Sequence, residues 1–238
     1  MACHYYLWES GGSSLHIGLE NMSKNKLVFS PKNSAPESLV ISFITKMFPV
    51  RSLTMHIAAF IDFQGTLGGG GVDDIRSLTL FPFSANAIKK LNDYSVLAIG
   101  ITNQSHIAAG EITWDEYNKK LQLLKDELSR SNAHFDAVYC CPHAASDHCH
   151  CRKPQTGMVE AACKDFEIDI PNSYVIGDMG MSDMLLAKNI GAKGILVLTG
   201  VGKGSLGEYR STWQNTEPYF IADDIFAAAD KIVMDMTP

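Results

Sequence analysis

Four short stretches of this chain carry side chains that can do chemistry. Asp62 closes the apolar run Ile57-Ala58-Ala59-Phe60-Ile61 and opens Asp62-Phe63-Gln64-Gly65-Thr66. So short an apolar run reads as a buried parallel strand, and a carboxylate at its end stands where open α/β sheets bind ligands. Thr102-Asn103-Gln104-Ser105 ends a second apolar run, and its hydroxyl and amides can donate hydrogen bonds to an oxyanion. Cys151-Arg152-Lys153-Pro154 sets two cations beside a proline-stiffened turn, where they could hold a phosphate. Gly177-Asp178 ends a further strand, with Asp183 a little beyond it. A second carboxylate at a neighbouring strand tip is what a hard divalent cation such as Mg²⁺ requires. Asp178 could instead cap a helix, and Asp183 reads as support for a bound ion rather than as a direct ligand.

The cysteines point to a second centre. Of six, four (Cys140, Cys141, Cys149 and Cys151) crowd one segment beside His143, His148 and His150. Such clustering reads as metal binding rather than disulfide stapling. Cys141-Pro142-His143 and Cys149-His150-Cys151 supply three thiolates and an imidazole, a set that closes a tetrahedral zinc site of the structural kind. Cys140, His148 and His150 remain open as substitutes, because sequence does not show which way each side chain points. Cys163 reads as core.

The elements that must position these groups alternate between strand and helix from Met55 onward, which predicts parallel βαβ units. Strands are expected over 56–62, 96–102, 136–140, 173–178, 194–199 and 219–222. Helices are expected over 84–94, with Ser84 as cap, and over 114–131, opened by the capping box Thr113-Trp114-Asp115-Glu116. Others follow at 157–166, at 182–189 with Gly191 just past its end, and at 223–234. Gly68 to Gly71 reads as a flexible run. Residues 1–54 read as a poorly ordered extension, or as sequence upstream of a start at Met55; residues 55–238 form the α/β domain. The length of 238 residues, 46% of them hydrophobic, supports one such domain. A net charge of −6 gives no general attraction to nucleic acid or anionic membrane, and no apolar run is long enough for a span. A cytoplasmic protein, monomeric or weakly homo-oligomeric, is the default expectation.

Taken in order and spacing, the four stretches resemble the haloacid dehalogenase (HAD) superfamily of phosphotransferases. The resemblance implies a three-layer Rossmann-like fold with a central parallel sheet. It implies that Asp62 is the nucleophile that becomes an aspartyl phosphate, and that Thr102 binds a phosphoryl oxygen. Lys153 would neutralise charge, and Asp62, Asp178 and the backbone carbonyl of Gln64 would hold Mg²⁺. Gly65, Thr66, Asn103, Gln104 and Arg152 would line the phosphate site. Cys-Pro-His followed by Cys-x-Cys-Arg-Lys-Pro is similar to the zinc-containing branch that acts on heptose bisphosphate and histidinol phosphate, with Cys141, His143, Cys149 and Cys151 as Zn²⁺ ligands. The segment between Asp62 and Thr102 leaves no room for a large cap, so a small phosphorylated metabolite, a sugar phosphate above all, is the expected substrate.

One position departs from the family pattern. Its phosphatases carry a second Asp two residues after the nucleophile, to protonate the leaving alcohol and later activate water. This chain has Gln64 there, and an amide has no proton to give near neutral pH. Three functions follow: a slow phosphatase that uses another acid, with His106 as a speculative candidate; a non-catalytic binder of phosphorylated ligands; or a phosphotransferase whose phosphoenzyme persists.

Overall fold

A computed structural model describes residues 3–8, 14–19, 55–71 and 74–237. Its contacts divide the chain into two units, Met1–Leu53 and Thr54–Pro238. In the first, β1 (Cys3–Trp8) pairs antiparallel with β2 (Ser14–Leu19). The remainder of the 1–54 segment, over which a poorly ordered extension was expected, lies outside the described residues.

In the second unit six strands form one parallel sheet: β3 (Ala58–Ile61), β4 (Leu97–Asn103), β5 (Ala137–Cys141), β6 (Tyr174–Gly177), β7 (Lys193–Val197) and β8 (Phe220–Ala222). Their order is β5-β4-β3-β6-β7-β8. The chain steps outward from β3 to β5, then returns to lay β6 on the other edge of β3. That reversal opens a crevice at the carboxyl ends of β3 and β6. Ile61 pairs with Gly100 on one side and Ile176 on the other, so Asp62 emerges level with Gly177.

β3 is apolar throughout because helices cover both faces of the sheet. Ala59 and Ile61 face a core completed by helices Ser84–Asp93, Trp114–Ser129 and Ile225–Met236. Ala58 and Phe60 face the other, beneath Gly157–Asp165 and Leu185–Ile190. The three-layer architecture is therefore as expected. Among the described residues, nothing between Asp62 and the first helix forms a cap: Leu67, Ile75, Leu78 and Leu80 are all buried in the core. The Gly68–Gly71 run is less free than its composition suggests, since Gly68 bridges to Leu80. Among the described residues, no helix is long and apolar enough to cross a membrane.

Local signals hold in two places and fail in two. Thr113 accepts a hydrogen bond from the Glu116 N–H at 3.2 Å while Glu116 reaches back to the Thr113 N–H at 2.8 Å, completing the capping box. Gly191, at φ 75°, ends the helix before it. Ser84, however, is no cap: it is the first helical residue, and its hydroxyl donates to Leu67 O at 2.8 Å, tying the loop after Asp62 to the helix. The helix expected from Ser182 begins instead as a π-turn over Gly180–Met184 and becomes α-helical at Leu185. That wider turn carries Asp183 into the interior, where it is buried.

Candidate active site

Two strand tips, a π-turn and one loop bring the chemistry together. Asp62 is fixed at the end of β3 by its own N–H, which donates to Ile176 O at 2.9 Å. Asp178 follows β6, and Asp183 comes from the π-turn beyond it. Lys153 enters from the loop after β5, its Nζ lying 2.5 Å from Asp62 Oδ1 and 2.8 Å from Asp183 Oδ1. Asp62, Asp178 and Asp183 each present an oxygen, all within 4.8 Å of one another.

Space for Asp178 comes from missing side chains. A Cβ at Gly65, Gly71 or Gly200 would approach Asp178 Oδ2 to 2.0, 2.8 or 2.1 Å. Gly65 also sits at φ +81°, a conformation that side chains resist, so the Gly of the Asp62-x-x-Gly-Thr stretch is needed twice over. Within this cradle Asp178 Oδ2 accepts a hydrogen bond from the Val201 N–H at 2.8 Å. Asp178 caps no helix.

Three buried carboxylates share one ammonium, and the imbalance shows at Asp62 and Asp178. Burial, only partly offset by Lys153, pushes Asp62 up to about 6. Burial, reinforced by the charges of Asp62 and Asp183, pushes Asp178 up to about 8. Burial acts to lower Lys153, but Asp183 and Asp62 outweigh it and hold the ammonium above its ordinary range. An all-oxygen donor set this short of positive charge suits a hard divalent cation.

The thiol cluster is equally well formed. Cys141 Sγ lies 3.6 Å from both His143 Nδ1 and Cys149 Sγ. Cys151 Sγ lies 3.2 Å from His143 Nδ1 and 3.5 Å from Cys149 Sγ. These are edges of a tetrahedron whose corners stand about 2.0–2.3 Å from its centre, the lengths of Zn–N and Zn–S bonds. Strand alternation selects Cys141 over Cys140, which packs in the opposite core beside Tyr117. His150 is engaged by Glu160 at 2.9 Å, and His148 belongs to the turn at φ 47° rather than to the cluster.

Cluster and crevice are joined through two residues. Arg152 Nη1 donates to His143 O at 3.1 Å. Asn103, at the tip of β4, accepts from the Lys153 N–H at 3.0 Å and donates to Lys153 O at 3.2 Å. Asn103 thus clamps the lysine backbone between sheet and loop. Asn103→Ala is expected to lower kcat by roughly tenfold, the loss of one or two hydrogen bonds at about 1 kcal/mol each. A kcat unchanged within twofold in a steady-state assay would remove that role.

A cavity of about 210 Å³ opens over these groups, with Gln64, Asn103 and Arg152 in its walls. The other residues read as phosphate-binding sit beneath the walls. Thr102 is fully buried, accepting from Gln104 Nε2 at 2.8 Å and donating to Gln64 Oε1 at 3.3 Å. Gln104 is buried below it, and the Thr66 hydroxyl is turned towards Asp62 Oδ2 at 3.5 Å. Gly65 contributes room rather than a side chain. Ser105, the last residue of the Thr102–Ser105 stretch, lines the cavity, as do Met179 and Ser182, which were not singled out from sequence as site residues. Met179 and Ser182 are placed there by the π-turn, which no local pattern announces.

A family model described as HAD-hydrolase-like matches residues 150–228, the part that carries Lys153, Asp178 and Asp183. A curated relative from Thermosynechococcus vestitus, named D-glycero-D-manno-heptose-1,7-bisphosphate 7-phosphatase, is 34% identical over 195 residues, covering 76% of this chain and 97% of that one. This chain belongs to the HAD superfamily of phosphatases. The probable D-glycero-D-manno-heptose-1,7-bisphosphate 7-phosphatase of Thermoplasma volcanium is 32% identical to this HAD phosphatase over 133 residues, 55% of this chain and 91% of the relative. The histidine biosynthesis bifunctional protein HisB of Blochmanniella floridana is 34% identical over 141 residues, 57% of this chain, which spans only 39% of HisB. The fold is shared with the D,D-heptose 1,7-bisphosphate phosphatase of B. bronchiseptica, crystallised with magnesium and phosphate. There the TM-score is 0.68 at 24% identity, with 75% of this HAD phosphatase and 99% of that chain covered.

Proposed function

We propose that this HAD phosphatase is a Mg²⁺-dependent hydrolase of a small phosphorylated metabolite, a heptose bisphosphate, histidinol phosphate or related sugar phosphate, acting through an aspartyl phosphate on Asp62. The observation that carries the reading is the Lys153 ammonium held between Asp62 and Asp183 under a cavity that Asp178 also faces.

Asp62 attacks phosphorus from the end of β3, and the P–O bond to the leaving group breaks on the opposite side, towards the cavity mouth. Lys153 and Arg152 offset charge on the phosphoryl oxygens, which is the larger part of what phosphoryl transfer asks of a protein. Asp62, Asp178 and the Gln64 carbonyl would hold Mg²⁺, with Asp183 in support, and the bound ion would supply the positive charge that lets a dianion approach a carboxylate. Zn²⁺ held by Cys141, His143, Cys149 and Cys151 would fix the loop that presents Arg152 and Lys153. Residues 55–238 carry all of these groups, and residues 1–54 are assigned outside the phosphatase domain.

Gln64 makes the wild-type enzyme slow. Gln64→Asp is expected to raise phosphate release from a sugar-phosphate panel by at least about tenfold, a share of the roughly 10²–10⁴-fold that general acid–base catalysis is worth. Release from neither protein, with Mg²⁺ and Zn²⁺ supplied, would sink the phosphatase reading. Gln64 also favours one second reading. Stoichiometric labelling of Asp62 that decays over minutes would identify a phosphotransferase with a persistent phosphoenzyme.

A further inference from the structure

The leaving alkoxide needs a proton, and the water that later attacks the aspartyl phosphate must lose one. Among the described residues, six ionisable side chains line the cavity: Asp62, Arg152, Lys153, Asp178, Asp183 and His106. Asp62 is the nucleophile. Asp178 and Asp183 belong to the carboxylate set, and Lys153 is pinned between Asp62 and Asp183. A guanidinium holds its protons at any working pH. His106 is the group left over.

Its surroundings are built for the task. His106 sits in the short turn Ser105–Ala108 that follows β4. The loop beyond folds back on it, the Glu111 and Ile112 N–H groups donating to His106 O at 2.9 and 3.2 Å. That return places Glu111 Oε2 2.5 Å from His106 Nδ1. Glu111 engages Nδ1, so Nε2 is the ring nitrogen left to work in the cavity that His106 lines. Among the described residues, Nε2 has no protein partner.

We propose that His106, oriented by Glu111, is the proton donor and acceptor that this site uses in place of a carboxylate at position 64. The proposal rests on the phosphatase reading above. In the first step, which starts from the His106 imidazolium, Asp62 forms the new O–P bond, the P–O bond to the leaving group breaks, and the leaving oxygen takes the Nε2 proton, leaving His106 neutral with its Nδ1 proton hydrogen-bonded to Glu111. In the second, water attacks phosphorus and gives its proton back to Nε2. The Asp62–phosphorus bond then breaks, restoring the Asp62 carboxylate and releasing phosphate.

The test pairs two leaving groups with two backgrounds. His106→Ala should lower steady-state turnover of an alkyl phosphate such as a sugar phosphate by about 10²-fold. With p-nitrophenyl phosphate, whose leaving group needs no proton, the pre-steady-state burst of p-nitrophenol should survive while later turnover slows. In Gln64→Asp, which restores a carboxylate, the same substitution should cost less than about tenfold, and Glu111→Gln should show a smaller version of the same pattern. An equal loss on both leaving groups and in both backgrounds would mark His106 as merely structural and overturn the assignment. So would no loss at all, or a wild type silent towards alkyl phosphates beside an active Gln64→Asp. Silence of both wild type and Gln64→Asp on every substrate would instead end the phosphatase reading itself.

Discussion

Asp178→Asn is expected to stabilise the metal-free protein while destroying its activity. In the native chain, folding buries Asp178 among like charges and raises it from its ordinary value to about 8. A carboxyl raised on folding contributes stability that is fully present below its unfolded pKa, near 4, and lost as pH climbs towards the folded value. The asparagine cannot ionise, so its advantage should be negligible at pH 4, grow between pH 4 and 8, and level off above. At pH 8 it should reach a few kcal/mol, or roughly 5–10 °C in melting temperature for a domain of this size. Asparagine can still accept from the Val201 N–H, so little packing is disturbed. Phosphatase activity with Mg²⁺ should fall by roughly 10²–10³-fold. Thermal melts in EDTA across that pH range check the first half; a melting temperature that drops, or rises equally at pH 4 and 8, contradicts it.

Cys149→Ser should uncouple the zinc centre from the crevice with a large effect on both. Four ligand atoms already stand at tetrahedral separations, and a structural zinc site contributes its binding free energy to folding. Burial alone would raise the Cys149 thiol, but the Arg152 and Cys151 N–H groups and the neighbouring thiols bring it down to about 7, close to the thiolate a metal needs. Replacing that sulfur should abolish stoichiometric zinc by elemental analysis and lower the melting temperature. Turnover should fall at least tenfold, because Lys153 stands two residues beyond Cys151 and shares its loop. Full activity in zinc-free protein would separate the cluster from catalysis.

Much of this site was legible in the chain. Asp62, Lys153 and Asp178 converge because each ends a strand or follows one, and parallel strands all deliver their ends to one rim of the sheet. The thiol set was legible except for the choice between Cys140 and Cys141, which the alternation of faces along β5 decides. The misreadings share a cause: a polar side chain has several partners to choose from, and tertiary packing chooses. Ser84 has the right type and place for a cap, yet the Leu67 carbonyl lies closer to its needs. Gln104 reads as a donor to a phosphate, yet it supports Thr102 from below; Asn103 lines the cavity and also clamps the Lys153 backbone. The π-turn depends on the room that Gly177 leaves for Asp183, where a Cβ would come within 2.2 Å of the carboxylate carbon.

The glycine cradle around Asp178 limits how this chain can evolve. Gly65 and Gly71 come from the loop after Asp62 and Gly200 from far along the chain, and all three close on one oxygen atom. A single methyl group at any of them invades the same volume, so a change at one is not relieved by a change at another. Saturation mutagenesis should therefore find that the Gly65–Gly71 loop and the distant Gly200 behave as one intolerant unit, tied together by a shared void.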